Sequence, residues 1–349
     1  MSGLTSRSDL VTAVDLDDTG WLMDADTGRP VPAQGLRDYF AERLAPPHWA
    51  TDIVVYVHGW QTSPQSAVRS AARLTSLAQE RFRAQTQLYP QLAAHGFEPW
   101  TVVVRWPSAS LPGLSGYRRI RDRAHAMGSR TGTGHAAHVI GRLLGYLDAE
   151  RPDPAGAATL ANREGQYLHL AGHSFGCRFL CEAVLWAADA SLAPTLSWSA
   201  ASRDRTRPFT VDSVLLFQMA APRDAFATLF GDLARFSGDR VAPVRGPVVA
   251  TYSRHDRATG FWHLRAEGKP GVGHSGIDPS TTPVFETPLH PTSEPYALSS
   301  LDHGFVSIDA TGFYTRNRHL NPAGAHSAHL CPESAHLLVS LADLARQEH

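Results

Sequence analysis

The sequence is poor in lysine, cysteine and long apolar runs, and each scarcity removes a class of chemistry. Among its 349 residues, Lys269 is the one lysine. It lies in the turn-like stretch Gly268-Lys269-Pro270-Gly271. A Walker phosphate loop needs Ser or Thr after its lysine, so proline at that place excludes one. A Ser–Lys dyad or a Schiff-base lysine would have to use this single position. Arginine cannot substitute, because its guanidinium stays protonated. Cysteine occurs at 177, 181 and 331. So sparse and odd a set argues against a disulfide scaffold and for a reducing compartment. Cys177 and Cys181 lie one helical turn apart and read as core packing. No apolar run approaches the ~18 residues that span a bilayer, and residues 1–10 carry no leader-like apolar core. The expectation is a soluble, cytoplasmic chain without a membrane span. The formal net charge of −1 supplies no field for a nucleic acid.

The composition that remains is globular. Hydrophobic residues make up 43% and charged residues 19%, which excludes disorder and leaves material for a large core. The length allows two domains or one α/β domain with insertions. Five short apolar runs recur: Ile53–Val57, Thr101–Trp106, Tyr167–Ala171, Ser213–Ala220 and Pro247–Ser253, with a weaker sixth at Phe305–Ile308. Continuous rather than alternating runs suit strands covered on both faces, hence a parallel sheet. Between them, Ser66–Phe82, His135–Leu147, Cys177–Ala188 and Pro332–Ala345 carry helical periodicity, the last opening on proline. Strand and helix patterns in alternation predict a doubly wound, mostly parallel α/β sheet with helices on both faces. Residues 1–50 are expected as an N-terminal extension, with room for a hairpin or an extra edge strand, and 51–349 as the main α/β domain. Segments 108–134 and 260–325, rich in Gly, Ser, Pro and His, read as lid-like loop insertions.

The chemistry concentrates where the third run meets the third helix. Gly172-His173-Ser174-Phe175-Gly176 is G-x-S-x-G in strand–turn–helix context, which singles out Ser174 as a nucleophile. The turn is crowded, so the positions two residues either side must lack side chains. The helix that follows aims its N–H groups and positive dipole end at the serine. The first run ends in His58-Gly59-Trp60-Gln61. There a backbone N–H of Trp60 or Gln61 would converge with that of Phe175 to form an oxyanion hole.

The order Val-Tyr-Val-His-Gly-Trp, then Gly-His-Ser-Phe-Gly, then a late Asp and His resembles the α/β-hydrolase superfamily over roughly residues 50–349. The hexapeptide His58–Ser63, followed by Arg105-Trp106-Pro107-Ser108 and a Tyr/Arg/Asp-rich helix, is similar to a bacterial subgroup within it. The resemblance implies a serine hydrolase acting on a small acyl substrate, an ester, thioester or amide, with no cofactor. It also implies the triad order Ser, Asp, His. Asp256, after the fifth run, is the expected orienting acid, with Asp224 as alternative. His326, in a small-residue loop before the last helix, is the expected base, with His329 and then His303 as alternatives. Trp60-Gln61 replaces the Gly-Gly of the His-Gly-Gly-Gly lipase branch, which argues against bulky tertiary-alcohol esters. The competing readings are a catalytically silent binding protein and a lyase or cofactor-free haloperoxidase on the same fold.

Four further signals are set aside. Asp15-Leu16-Asp17-Asp18-Thr19 imitates a phosphatase opening, but the apolar stretch before it is weak. Gly132-Thr133-Gly134 follows a polar helix instead of a strand, so it fails as a dinucleotide fingerprint. Arg118, Arg119, Arg121 and Arg123 read as a solvated helix face, with an anion-attracting rim as the sharper alternative. The histidines from His263 onward show no metal-ligand spacing.

Overall fold

The computed structural model describes residues 10–111, 113–150, 166–189, 211–234, 244, 246–315 and 322–347. Nine strands form one sheet: β1 (Val11–Leu16), β2 (Leu22–Met23), β3 (Asp52–Val57), β4 (Pro99–Arg105), β5 (Tyr167–His173), β6 (Ser213–Phe217), β7 (Val248–Tyr252), β8 (Phe285–Pro288) and β9 (Phe305–Asp309). Their order is β2-β1-β4-β3-β5-β6-β7-β9-β8. β2 runs antiparallel to β1, and every other neighbouring pair is parallel.

The continuous apolar runs have the cause the sequence implies. In β3, Ile53, Val55 and Val57 face one core with the helices Leu114–Gly128, Ala136–Glu150 and Phe175–Ala188. Val54 and Tyr56 face a second core with the helices Pro64–Ala84 and Pro332–Leu344. A strand with helices on both sides has no face to leave polar. The sheet is therefore doubly wound, with the serine-bearing strand β5 between β3 and β6 near its middle. Ser63 caps the helix Pro64–Ala84, its hydroxyl accepting the Ser66 N–H at 3.2 Å, with proline in the first turn.

Residues 10–50 supply the expected hairpin, β1 and β2 pairing antiparallel at one edge of the sheet, and two other expectations change. β1 pairs in register with β4 from Val11 against Thr101 to Asp15 against Arg105, because its apolar residues complete the edge of the first core. Segment 108–134 is not a loop. It is built around the helix Leu114–Gly128, which buries Tyr117, Ile120, Ala124 and Met127 at i, i+3, i+4 spacing beneath its arginines. Segment 260–325 contains two sheet strands, β8 and β9, and short helices, and its residues 316–321 lie outside the described ones. β9 is the weaker sixth run expected at Phe305–Ile308, whereas the four-residue β8, half-buried and exposed in alternation, gave no apolar run to read.

The motifs set aside have structural partners. Asp17 Oδ1 accepts the N–H groups of Thr19 and Trp21 at 2.8 and 2.9 Å, closing a turn, and Asp15 pairs with Arg105. The helix arginines work as clamps. Arg118 Nη2 donates to the Arg265 carbonyl at 3.1 Å, Arg121 Nη1 to that of Ala266 at 2.6 Å, and Arg123 Nη1 to that of Pro107 at 2.9 Å. Among the described residues, no helix is long and apolar enough to cross a membrane.

Candidate active site

The carboxyl ends of the parallel strands bring the expected residues to one edge of the sheet, where open α/β sheets place their sites. β5 runs directly into Ser174, and the helix Phe175–Ala188 starts at the next residue. Ser174 holds φ 55° and ψ −122°, a conformation L-residues rarely adopt. Strain of this kind costs about 1–3 kcal/mol and persists where the surroundings over-determine it. Here they do. A Cβ on Gly172 would come within 2.7 Å of the Cys177 backbone, and one on Gly176 within 2.2 Å of the Val57 carbonyl oxygen. Glycine at both positions lets helix and strand close around the serine. The Ser174 N–H is fixed to the Phe217 carbonyl at 3.0 Å.

Asp256 and His326 arrive from opposite ends of the last third of the chain. After β7, the turn carrying Asp256 is laced to the loop carrying His326. Arg257 N–H donates to the Ala323 carbonyl at 3.0 Å and Ala325 N–H to that of His255 at 2.9 Å. The lacing brings three side chains into line. His326 Nε2 lies 2.8 Å from Ser174 Oγ, and His326 Nδ1 lies 2.8 Å from Asp256 Oδ2. The carboxylate also accepts Gln218 Nε2 at 3.0 Å on Oδ2 and the Thr259 N–H at 3.0 Å on Oδ1. Asp256 can only accept from the ring, so the His326 proton sits on Nδ1 and Nε2 is free to accept from the serine. Ser174, Asp256 and His326 are all buried.

The alternates go elsewhere. His329 lies stacked between His173 and Phe217 at centroid distances of 4.1 and 5.0 Å, with Nε2 at 3.3 Å from the Tyr56 hydroxyl. Burial, with His326 adjacent, pushes its pKa down to about 3, so it stays neutral. Asp224 pairs at the surface with Lys269 at 2.5 Å. His303 lies flat against Phe285 at 4.4 Å.

Of the three expected oxyanion residues, Gln61 is not available. Its N–H donates to the Ser108 carbonyl at 3.0 Å, in a backbone held at φ 55°. Thr62 N–H to Ser108 Oγ at 3.2 Å and Trp60 Nε1 to Ser110 Oγ at 2.6 Å continue the lacing. The N–H groups of Trp60 and Phe175 have no partner among the described residues. Phe175 opens its helix, where an orphan N–H is the rule.

No protein-family model and no curated protein matches this sequence. Among solved structures, two of the phospholipase PlaB from Legionella pneumophila, one in complex with thio-NAD, superimpose with TM-scores of 0.27 and 0.25 at 12% identity. The matches cover 69% of this chain and 47% and 48% of the phospholipase chains, so this chain spans about half their length. A likeness this slight carries no argument. The fold rests on the sheet order, and the site on the distances above.

Three residues make site contacts that the sequence reading did not assign to them. Gln218 follows β6 at φ 48°, and its amide bridges Asp256 and the Ala325 carbonyl, the latter at 3.1 Å. A lone glutamine inside the run Ser213–Ala220 was the signal for it. His173 Nε2–H donates to the His326 carbonyl at 2.7 Å and pins the His326 backbone. Burial, then the neighbouring His329 and His326, hold its pKa well below the usual range, so it serves as a neutral donor. His58 donates from Nδ1 to the Gly59 carbonyl at 2.9 Å and accepts the Trp106 N–H on Nε2 at 3.1 Å. Burial keeps it neutral, at about 4, which is the form that can do both.

Proposed function

We propose that this chain is a serine hydrolase of the α/β-hydrolase type that cleaves an ester, thioester or amide through an acyl-serine. One observation carries the reading. An unbroken hydrogen-bonded line runs from Ser174 Oγ through both nitrogens of His326 to Asp256, each contact 2.8 Å.

The chemistry follows from that line. Ser174 Oγ attacks the acyl carbon while its proton passes to His326 Nε2. Asp256 holds the imidazole tautomer through Nδ1–H and stabilises the cation that forms. The developing oxyanion sits beside the N–H groups of Trp60 and Phe175. Donors of this kind are worth about 2.7–4 kcal/mol each in mutational tests. Collapse of the tetrahedral intermediate expels the leaving group, which takes the proton back from Nε2. Water then attacks the acyl carbon as its proton passes to the same nitrogen; collapse of this second tetrahedral intermediate breaks the bond to Ser174 Oγ, which takes the proton back from Nε2 as the acid leaves. Every proton is accounted for by this chain's own residues, and no cofactor is required.

The test is a fluorophosphonate probe followed by turnover of simple aryl esters. Wild-type protein should be labelled at Ser174 and release the aryl alcohol. Ser174→Ala should abolish labelling and cut turnover by about 10⁶, as loss of the nucleophile does in a well-studied serine protease. A folded wild-type protein left unlabelled would point to a binding module. Labelling without ester hydrolysis would point to a non-hydrolytic reaction on the same site.

A further inference from the structure

The helix Leu114–Gly128 inserts Tyr117 into a panel of aromatic rings beside the nucleophile. The Tyr117 ring lies 5.5 Å from Trp60, edge to face, and 5.4 Å from Phe175. Trp262 is 6.2 Å away and His263 6.5 Å, both edge to face, and Trp60 itself meets Trp262 at 5.3 Å. Trp60 and Phe175 are the residues whose free N–H groups flank Ser174. Gly59, next to Trp60, approaches so closely that a Cβ there would lie 2.7 Å from the Ser174 Cβ. The panel therefore packs directly behind the two segments that border Ser174.

Tyr117 is 1% exposed, yet its hydroxyl has no hydrogen-bond partner among the described residues. Other buried tyrosines of this chain are satisfied. Tyr89 meets His336 Nδ1 at 2.5 Å, Tyr314 meets Ser334 Oγ at 2.7 Å, and Tyr56 meets His329 at 3.3 Å. A hydroxyl cut off from water and left unpaired destabilises the fold, so one that persists calls for a reason. A ligand that supplies the missing acceptor is such a reason, because an unpaired polar group in a site discriminates strongly between substrates that satisfy it and those that do not.

We propose that the Tyr117 hydroxyl is a specificity-determining donor to an oxygen on the acyl side of the substrate, the rest of that acyl group being apolar against Trp60 and Trp262. The inference rests on the serine-hydrolase reading above and names the substrate feature that reading leaves open. Burial, with the negative charges of Asp256 and Glu267 behind it, holds the phenol well above its ordinary range, so it remains a protonated donor. The accepting oxygen is either the scissile carbonyl oxygen, as its charge develops, or an ether or carbonyl oxygen further along the acyl chain.

The experiment compares wild type with Tyr117→Phe on two nearly isosteric 4-nitrophenyl esters, the butyrate and the methoxyacetate, alongside thermal unfolding. Tyr117→Phe should lower kcat/KM by roughly tenfold to a hundredfold, the loss expected of one hydrogen bond to substrate. A loss on both esters places the donor on the scissile carbonyl oxygen. A loss on the methoxyacetate alone places it on the acyl chain. The unfolding midpoint should stay level or rise, because the variant removes a hydroxyl that nothing in the free protein satisfies. Unchanged kcat/KM on both esters overturns the proposal, and so does a lowered midpoint, which would reveal an internal partner. Fluorophosphonate labelling of wild type separates the two levels. A labelled wild type with a fully active Tyr117→Phe defeats the tyrosine's role alone. A wild type not labelled at Ser174 removes the hydrolase reading and this inference with it.

Discussion

At the scale of single residues, the site depends on groups that fix other groups. Gln218 touches no reacting atom, yet its amide is one of the donors that set the direction of the Asp256 carboxylate. Gln218→Leu leaves that carboxylate one charge-assisted bond poorer, an interaction worth about 1.5–3 kcal/mol. As a positioning residue, it should show itself in kcat rather than KM. Steady-state kinetics on a simple aryl ester should give a kcat lowered roughly tenfold or more with KM little changed. Gly59 acts through what it lacks. An added Cβ would meet Ser174 Cβ and His173 Nδ1, each at 2.7 Å, and neither neighbour is the free end of a flexible chain. Gly59→Ala should cost about 10²-fold in kcat/KM, the scale of loss that a small misplacement of reacting groups produces. Its circular dichroism spectrum should remain that of the wild type. A fully active Gly59→Ala would mean that the nucleophile tolerates a displacement this geometry forbids.

At the scale of elements, the ends of the sheet have different tasks. The carboxyl ends hold the site, and the amino ends hold a buried charge cluster. Asp52, at the start of β3, receives Arg346 Nη2 at 2.9 Å and Nη1 at 3.0 Å, and lies 3.0 Å from His169 Nε2. Arg346 also lies 3.9 Å above the Tyr167 ring. The cluster ties the end of the C-terminal helix to the two central strands. Burial alone would raise the Asp52 pKa, but Arg346 and His169 outweigh it and hold it down at about 2. A carboxylate with a folded pKa below its unfolded value of about 3.9 contributes stability that is complete above that value. The contribution should fade as pH drops through 4 towards 2. Urea unfolding between pH 2 and 5 should show this loss in wild type and a shallower one in Asp52→Asn. Arg346→Met, which strands the buried carboxylate, should cost about 3–5 kcal/mol at pH 7.

At the scale of the whole molecule, two cores share one sheet, and the strands differ in how far both cores protect them. β3, β5 and β6 are buried along their full length, whereas β8 alternates between half-buried and exposed and β2 is two residues long. Amides of the central strands should exchange with solvent only through global unfolding. Those of β8 and β2 should exchange through local opening, orders of magnitude faster. Hydrogen exchange followed by mass spectrometry checks this, and uniform protection across the sheet would contradict it. The arrangement suits a site that stores strain. Ser174 and Gln218 hold positive φ at the ends of the best-protected strands, where rigid surroundings can enforce it.

The sequence by itself determined what short-range physics decides. Crowding around one serine demands glycine on both sides, so the elbow at Ser174 was legible as a pentapeptide. Burial on both faces demands unbroken apolar runs, so five of the parallel strands were legible too. Tertiary structure decided what depends on distant segments closing on each other. Among eighteen histidines, none carries a local mark of the base. His326 meets Ser174 and Asp256 because the backbone of 323–325 laces to that of 255–257, while His329, three residues on, is turned into a ring stack. The same holds for Gln61, whose N–H is taken by a loop some fifty residues away, and for Tyr117, whose neighbouring rings Trp60, Phe175 and Trp262 come from three separate segments. Local sterics are written in neighbouring residues. A hydrogen bond across 70 or 152 positions is written only in the closed fold.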